Sequence, residues 1–205
     1  MKRIIFLLTV LAVAGTAAAE LLWGVTNGVN DSGFWSGGEI FTVDTSTGNV
    51  SIQHTYSYNG VSTDVRGFGD IAINSGGDLY VTYYSDATGN FKTLAKVNGD
   101  GSFAWSQALP TQMNALTFVG NTLYAHAGGG AVDGLYKFSV LDGTTAPTFV
   151  GNSGYLGSDG DLFYHSATGK LYNVYTPNAT GNLAELNIST GAATLIGTLN
   201  GTAKF

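Results

Sequence analysis

The chain has 205 residues, 30 glycines, three prolines and no cysteine, and 44% of its residues are hydrophobic. The 14 acidic residues outnumber the 8 basic ones, giving a net charge of −6, which excludes electrostatic attraction to the phosphates of a nucleic acid. No disulfide can form, so stability has to come from a core that is large enough without cross-links.

The first 19 residues have the pattern of a secretory signal peptide. Lys2 and Arg3 precede an apolar run at 4–14, and three alanines at 17–19 precede Glu20. The run is much shorter than the ~20 residues of a membrane-spanning helix, so we predict no membrane partner. We predict cleavage after Ala19 and a secreted product, periplasmic or extracellular, with one domain at 20–205. Loss of Lys2 and Arg3 leaves 6 basic against 14 acidic residues, a net charge of −8.

A short motif of leucine followed by an aromatic residue recurs four times in the rest of the chain. It reads Leu-Trp-Gly-Val at 22–25, Leu-Tyr-Val-Thr at 79–82, Leu-Tyr-Ala-His at 123–126 and Leu-Tyr-Asn-Val at 171–174. The copies start 57, 44 and 48 residues apart, which is the spacing of a repeat architecture.

Each copy of this Leu-aromatic motif is accompanied by further short runs of β-forming residues, bounded by Gly, Asn, Asp or Ser. These flanks are typical of strands joined by tight turns. In chain order, the additional strands are predicted at 40–44 and 50–52; at 70–74, 94–98 and 103–105; at 115–119, 135–139 and 148–150; and at 161–165, 183–187 and 194–196. No segment of the mature chain keeps a 3.6-residue apolar period, so we expect almost no helix.

The repeats predict an all-β fold, a small β-propeller with four blades of four antiparallel strands. The second strands are apolar on both faces, which fits blades stacked face to face rather than a half-solvated sheet. We expect Trp23, Tyr80, Tyr124 and Tyr172 to pack between neighbouring blades. The first repeat lacks its leading strand, and we expect the C-terminal residues 202–205 to supply it and close the ring; a fragment of a larger propeller is the alternative.

The motifs resemble those of the secreted bacterial propellers of the NHL, YVTN and quinoprotein-like superfamily. The resemblance is carried by Val-Asp-Thr-Ser-Thr-Gly at 43–48, Leu-Asn-Ile-Ser-Thr-Gly at 186–191 and Leu-Ile-Gly at 195–197. It extends over 20–205 and implies the propeller fold without implying one activity. Lactonase-like relatives carry Glu, Asn and Asp metal ligands in the central channel, whereas no Glu falls on a corresponding strand here.

Polar residues at the starts of the predicted innermost strands form one candidate site. Asp70, Asn114 and Asp161 would meet at one mouth of the channel, and their oxygens suit Ca²⁺, a possible cofactor. The alternative is that each side chain caps the backbone of its own turn.

The three histidines give no metal-binding pattern. His54, His126 and His165 belong to different repeats and lack the close spacing of zinc ligands. We expect hydrogen-bonded structural histidines, with His165 the one that could line the channel.

Phe34 and Trp35 form the candidate ligand-binding site. They lie in a polar insertion at 27–38 within the first repeat, where flat rings beside Asn and Asp could stack on a sugar. The alternative is that they plug the mouth of the ring.

Neither a nucleophile elbow nor a phosphate-binding loop is present, and the three glutamates fall outside the innermost strands. We therefore predict a monomeric, non-enzymatic binding or protein-interaction module with a glycan or protein ligand. The alternative is a metal-dependent, lactonase-like hydrolase that uses Asp70, Asn114 and Asp161.

Overall fold

The computed structural model describes residues 7–8, 21–29, 35–57, 65–84, 92–128, 133–154, 161–175 and 181–199. These residues form sixteen strands in four antiparallel, four-stranded sheets, arranged as the blades of a four-bladed propeller. The predicted all-β propeller is confirmed. Over these ranges no helix has the length and apolar character that crossing a bilayer requires.

Each blade takes its strands in sequence order, from the innermost to the outermost. Blade 1 contains β1 (Leu7–Leu8), β2 (Leu21–Val29), β3 (Trp35–Asp44) and β4 (Val50–Ser57). Blade 2 contains β5 (Gly67–Ile73), β6 (Leu79–Tyr84), β7 (Thr93–Val97) and β8 (Phe103–Ala108). Blade 3 contains β9 (Met113–Val119), β10 (Thr122–Ala127), β11 (Gly134–Phe138) and β12 (Thr148–Asn152). Blade 4 contains β13 (Leu162–His165), β14 (Lys170–Tyr175), β15 (Asn182–Leu186) and β16 (Ala193–Thr198).

The turns between third and fourth strands are set by local side chains. Asp44 Oδ1 accepts the N–H groups of Ser46 (2.8 Å) and Thr47 (3.1 Å) before β4. Asn187 Oδ1 does the same for Ser189 and Thr190 before β16. Gly48 completes the first of these turns with a φ of 71°, a conformation that glycine adopts without strain.

The core lies between blades, as the double-sided apolar strands predicted. Tyr80 packs against blade 3 in a cluster with Met113 and Leu116, and Tyr124 packs against blade 4 beside Leu162 and Leu171. Trp23 covers the cluster between blades 1 and 2. Three of the four predicted aromatic contacts therefore form between blades. The fourth residue, Tyr172, lines an open cavity instead.

The inner edge of β2 pairs with Leu7–Leu8, through Leu7 opposite Val25 and Leu8 opposite Gly24. This is the position that we assigned to the C-terminal residues 202–205, which lie outside the described residues. The N-terminal apolar run thus supplies a strand in the full-length chain, a role that its signal-peptide pattern did not indicate. Cleavage after Ala19 stays a prediction.

Candidate functional site

Two carboxyl groups meet at the centre of the ring. Asp70 is completely buried on β5, and Asp161 lies immediately before β13, with a hydrogen bond between the two side chains. Asp70 Oδ1 accepts the N–H of Ile71 (2.7 Å), and Oδ2 accepts the N–H of Leu116 on β9 (2.6 Å). Asp161 Oδ1 accepts the N–H of Leu162 (2.8 Å). The pair therefore connects the innermost strands of blades 2, 3 and 4.

Burial keeps a proton on this pair. Burial, and then the neighbouring Asp161 charge, raise the pKa of Asp70 well above its ordinary value, although two backbone N–H groups oppose the shift. Burial also raises the pKa of Asp161 to about 6. Two adjacent carboxylates without a cation are stable only when they share a proton, so Asp70 donates its proton to Asp161.

Asn114 does not occupy the position in blade 3 that Asp70 and Asp161 occupy in theirs. Asp70 pairs with Thr82, and Asp161 O accepts the N–H of Val174; these partners each lie two residues after the motif tyrosine. The matching residue in blade 3, His126, pairs with Ala115. Asn114 precedes Ala115 by one residue and falls at the register shift between the His126–Ala115 and Ala127–Met113 pairs, where it is buried.

The hydrogen bonds of the carboxyl pair fit the capping alternative better than a cation-binding site. Asp70 and Asp161 each accept the N–H of the residue that follows, as a local cap does. Among the residues placed in the structure, no three His, Asp or Glu side chains gather into a metal-binding group. Calcium binding by Asp70, Asn114 and Asp161 stays a prediction.

His126 differs from the expected hydrogen-bonded histidine. It is 1% exposed, and neither ring nitrogen has a partner within the described part of the chain. The reason is its position on β10, between Ala115 and Leu135 on the apolar face that meets blade 4. Burial lowers the pKa of His126 to about 4, so the ring is neutral.

The other two histidines lie at the edges of blades. His165 Nδ1 is 2.7 Å from Thr168 Oγ1 at the β13–β14 turn, away from the carboxyl pair. His54 Nδ1 is 3.0 Å from the carbonyl oxygen of Asp100, across the contact between blades 1 and 2. His165 lines a cavity of blade 4 rather than the ring centre.

The hairpin formed by β2 and β3 extends past the level of the carboxyl pair. Val25 corresponds to Thr82 in the repeat, yet pairing continues through Asn27 opposite Gly38 to Val29 opposite Trp35. The backbone of Trp35 therefore lies at the tip of the hairpin, on the same side of the ring as Asp161. Phe34 lies outside the described residues.

Blade 2 fixes the base of this hairpin. The Asn27 side chain donates to the carbonyl oxygen of Phe68 (3.1 Å) and accepts the N–H of Phe68 (2.6 Å), as a neighbouring strand would. Gly38 lies against the Phe68 ring, and Gly37 donates its N–H to the carbonyl oxygen of Arg66. Tyr56 packs on the same ring and hydrogen-bonds to the carbonyl oxygen of Gly101.

A cavity of about 510 Å³ opens along the face of blade 4 that points away from blade 3. We call it the blade 4 groove; its walls are formed by Asp161, Phe163, His165, Thr168, Tyr172, Val174 and Leu183. Phe163 and Tyr172 stack with an interplanar angle of 19°, and Phe163 is 46% exposed. Sequence reasoning placed Tyr172 between blades and missed this groove, because the equivalent residues Tyr80 and Tyr124 are buried.

Residues 67–204 match the family model described as outer membrane protein assembly factor BamB, PQQ_2. The chain belongs to this family. The match spans blades 2 to 4 and confirms the resemblance to quinoprotein-like propellers.

Solved structures share the fold at low sequence identity. The RS223 β-xylosidase is 15% identical with a TM-score of 0.58, covering 87% of this chain and 75% of its own. The GH43_1 enzyme from Xanthomonas citri, complexed with xylose, is 15% identical with a TM-score of 0.59, covering 87% and 70%. A chain of a nidogen/laminin complex is 13% identical with a TM-score of 0.58, covering 86% and 60%. No curated protein matches the chain.

Proposed function

We propose that this protein is a secreted, non-enzymatic binding module that presents the β2–β3 hairpin, with Phe34 and Trp35, to a glycan or protein ligand. The observation that carries the proposal is the extension of this hairpin beyond the ring, with Trp35 at its tip. The signal-peptide pattern and the family description, which names outer membrane assembly, both support a location outside the cytoplasm.

A fixed hairpin suits recognition because little conformational freedom is lost when a ligand binds. The Asn27 side chain forms two hydrogen bonds with the backbone of Phe68, as a paired strand would. The absence of a side chain at Gly38 allows close approach to Thr26, because a Cβ there would lie 2.2 Å from the carbonyl oxygen of Thr26. The base of the hairpin is therefore rigid. Aromatic residues on such a base are typical anchors in binding sites.

The ring centre supports binding rather than catalysis. Asp70 is inaccessible, and both of its carboxyl oxygens accept backbone N–H groups. Glycoside hydrolases separate their two carboxyl groups by roughly 5–9.5 Å to hold substrate and water, whereas Asp70 and Asp161 are hydrogen-bonded to each other. The likeness to the RS223 β-xylosidase and the GH43_1 enzyme accordingly extends to the fold alone.

The test is binding to a glycan array and to a panel of extracellular proteins, with the wild type beside Trp35→Ala. We expect at least a tenfold loss of affinity with unchanged thermal stability. Phe149→Ala is the matched control, because Phe149 is a 44% exposed aromatic residue on blade 3. Equal binding by wild type and Trp35→Ala would remove the hairpin as the site.

One observation favours a second candidate, a metal-dependent, lactonase-like hydrolase. Asp161 lines the half-open blade 4 groove with a pKa raised to about 6, which is suitable for general acid–base catalysis near neutral pH. A lactone panel assayed with and without divalent cations separates the candidates. Metal-dependent turnover that Asp161→Asn abolishes, with folding intact, would replace the binding module by the hydrolase.

A further inference from the structure

The blade 4 groove changes its chemistry along the strands that form it. Asp161 lies at one end, beside the pair formed by Val174 and Leu183. Two residues further along each inner strand, Phe163 pairs with Tyr172, and both side chains line the groove. The groove therefore leads from a carboxyl group onto an aromatic wall.

The aromatic wall is open to a ligand. The rings of Phe163 and Tyr172 are nearly parallel, with 19° between their planes and 6.4 Å between their centroids. Phe163 is 46% exposed, and the cavity volume of about 510 Å³ is in the range of sites that bind small organic molecules. Such rings favour a flat, apolar ligand, because stacking removes the surfaces of both partners from water.

The charges at the groove favour a cation. Burial raises the pKa of Asp161 to about 6 and that of Asp70 well above its ordinary value, so at pH 7.5 Asp70 keeps its proton and Asp161 is ionised. Lys170 and Glu185 lie on the same face of blade 4, since they pair with groove residues, and they neutralise each other through an ion pair of 2.7 Å. The net charge of −6 also attracts cations to the chain as a whole.

We propose that the blade 4 groove binds a small organic cation, whose flat apolar part stacks on Phe163 and Tyr172 and whose ammonium group contacts Asp161. The aromatic ring faces add a further attraction for positive charge. The carboxylate at one end of the wall gives the ligand a single orientation, because only its ammonium group gains from contact with Asp161. The site uses no residue of the β2–β3 hairpin, so it is independent of the binding site proposed there.

Three indole compounds of different charge test this proposal. Tryptamine carries an ammonium group, tryptophol a hydroxyl group and indole-3-propionate a carboxylate on the same ring system. Isothermal titration calorimetry of the full chain at pH 7.5 should give about tenfold tighter binding of tryptamine than of tryptophol, and the weakest binding of indole-3-propionate. Asp161→Asn should remove this preference. Asp142→Asn is the matched control and should keep it, because Asp142 is an exposed carboxylate in a turn of blade 3.

The aromatic wall is tested by Phe163→Ala, with Phe149→Ala as the control of nearly equal exposure. Only Phe163→Ala should weaken tryptamine binding, by about tenfold. Amide chemical shifts of the wild type should change on tryptamine addition within 161–183.

Four results would overturn the proposal: no binding of tryptamine, equal affinity for tryptamine and tryptophol, equal effects of Phe163→Ala and Phe149→Ala, or chemical shift changes confined to other blades. If Asp161→Asn does not fold, the comparison of the three indole compounds on the wild type and the position of the shift changes still decide.

Discussion

The side chains of Asp70 and Asp161 connect distant parts of the chain through a few hydrogen bonds. Asp70 reaches Leu116, 46 residues away, and hydrogen-bonds to Asp161 in a third blade. Its N–H also donates to Thr82 Oγ1 at 3.1 Å, so the residue is fixed on the backbone side as well. A buried network of this kind is stable only while each donor and acceptor is matched, which makes its proton content decisive.

Stability should therefore depend on pH through this pair. An unfolded Asp titrates near 3.9, whereas the folded pKa of Asp161 is raised to about 6 and that of Asp70 is also raised. The folded state binds protons more tightly, so the contribution is present below about pH 4 and is lost as pH rises through the folded values. Asp161→Asn should flatten this loss, because the amide donates to Asp70 without a shared proton.

Free energies of unfolding at pH 4, 5, 6 and 7 give the measurement. We expect the free energy of unfolding of Asp161→Asn to increase relative to that of the wild type as pH rises, by at most about 3 kcal/mol at pH 7. His126, whose pKa is lowered to about 4, has the opposite effect: its contribution to stability increases as pH rises from about 4 to 6.5. It is present in both proteins and cancels in the difference. Parallel pH profiles would contradict a shared proton.

At the scale of strands, the blades differ in how they fill one equivalent pair of positions. The second and third strands place Gly24 opposite Phe41, Val81 opposite Ala95 and Asn173 opposite Ala184. In blade 1 the Phe41 ring covers Gly24, where a Cβ would lie 2.4 Å from Cζ. A large residue on one strand is thus matched by a small one on its neighbour.

This complementarity predicts a compensating pair of substitutions. Gly24→Val should destabilise blade 1 by about 3 kcal/mol, because the rigid Phe41 ring already fills the space. Adding Phe41→Ala reproduces the pair of blade 2 and should restore part of the loss, although Phe41→Ala alone costs about 3–5 kcal/mol. A double-mutant cycle measured by urea unfolding checks the coupling. Strictly additive effects would show that the two positions do not share one space.

The strands were predictable from sequence because their signals are local. The turn before β4 needs only Asp44, Ser46, Thr47 and Gly48, which are adjacent in the chain. The offset of Asn114 was readable from the aligned runs 70–74 and 115–119, which put Ala115 level with Asp70, whereas the irregular pairing at Asn114 itself was not predictable. That His126 has no hydrogen-bond partner among the described residues also depends on which face of β10 meets blade 4. Such features arise from packing between repeats, which no single repeat encodes.

At the scale of the whole molecule, burial falls from the axis of the ring toward its rim. All residues of β6 are buried, and β10 is buried except at its first residue. The fourth strands β12 and β16 contain no buried residue. Contacts between blades run from β2 to β5, from β5 to β9 and from β9 to β13, close to the axis. The inner strands therefore join blade 1 to blade 2, blade 2 to blade 3 and blade 3 to blade 4.

Hydrogen exchange should follow this radial gradient. Amides within 79–84 and 122–127 should exchange slowest, and those within 148–152 and 193–198 should exchange at least a hundredfold faster, because outer strands can open without disturbing the core. Mass spectrometry of exchanged peptides measures both groups in one experiment. Fast exchange of every strand in one blade, with protection of the other blades, would instead identify that blade as a separate unit.

The turns are closed by hydrogen bonds between near neighbours in the chain, whereas the ring centre is closed by a hydrogen bond between distant residues, and this difference sets the order in which they form during folding. The Asp44 and Asn187 turns close through residues two or three positions apart, whereas the Asp70–Leu116 bond joins residues 46 positions apart, about one whole repeat. Loop-closure entropy favours the short connections first. The rim hairpins can therefore form while the chain is still emerging from the ribosome, and the axis is completed last.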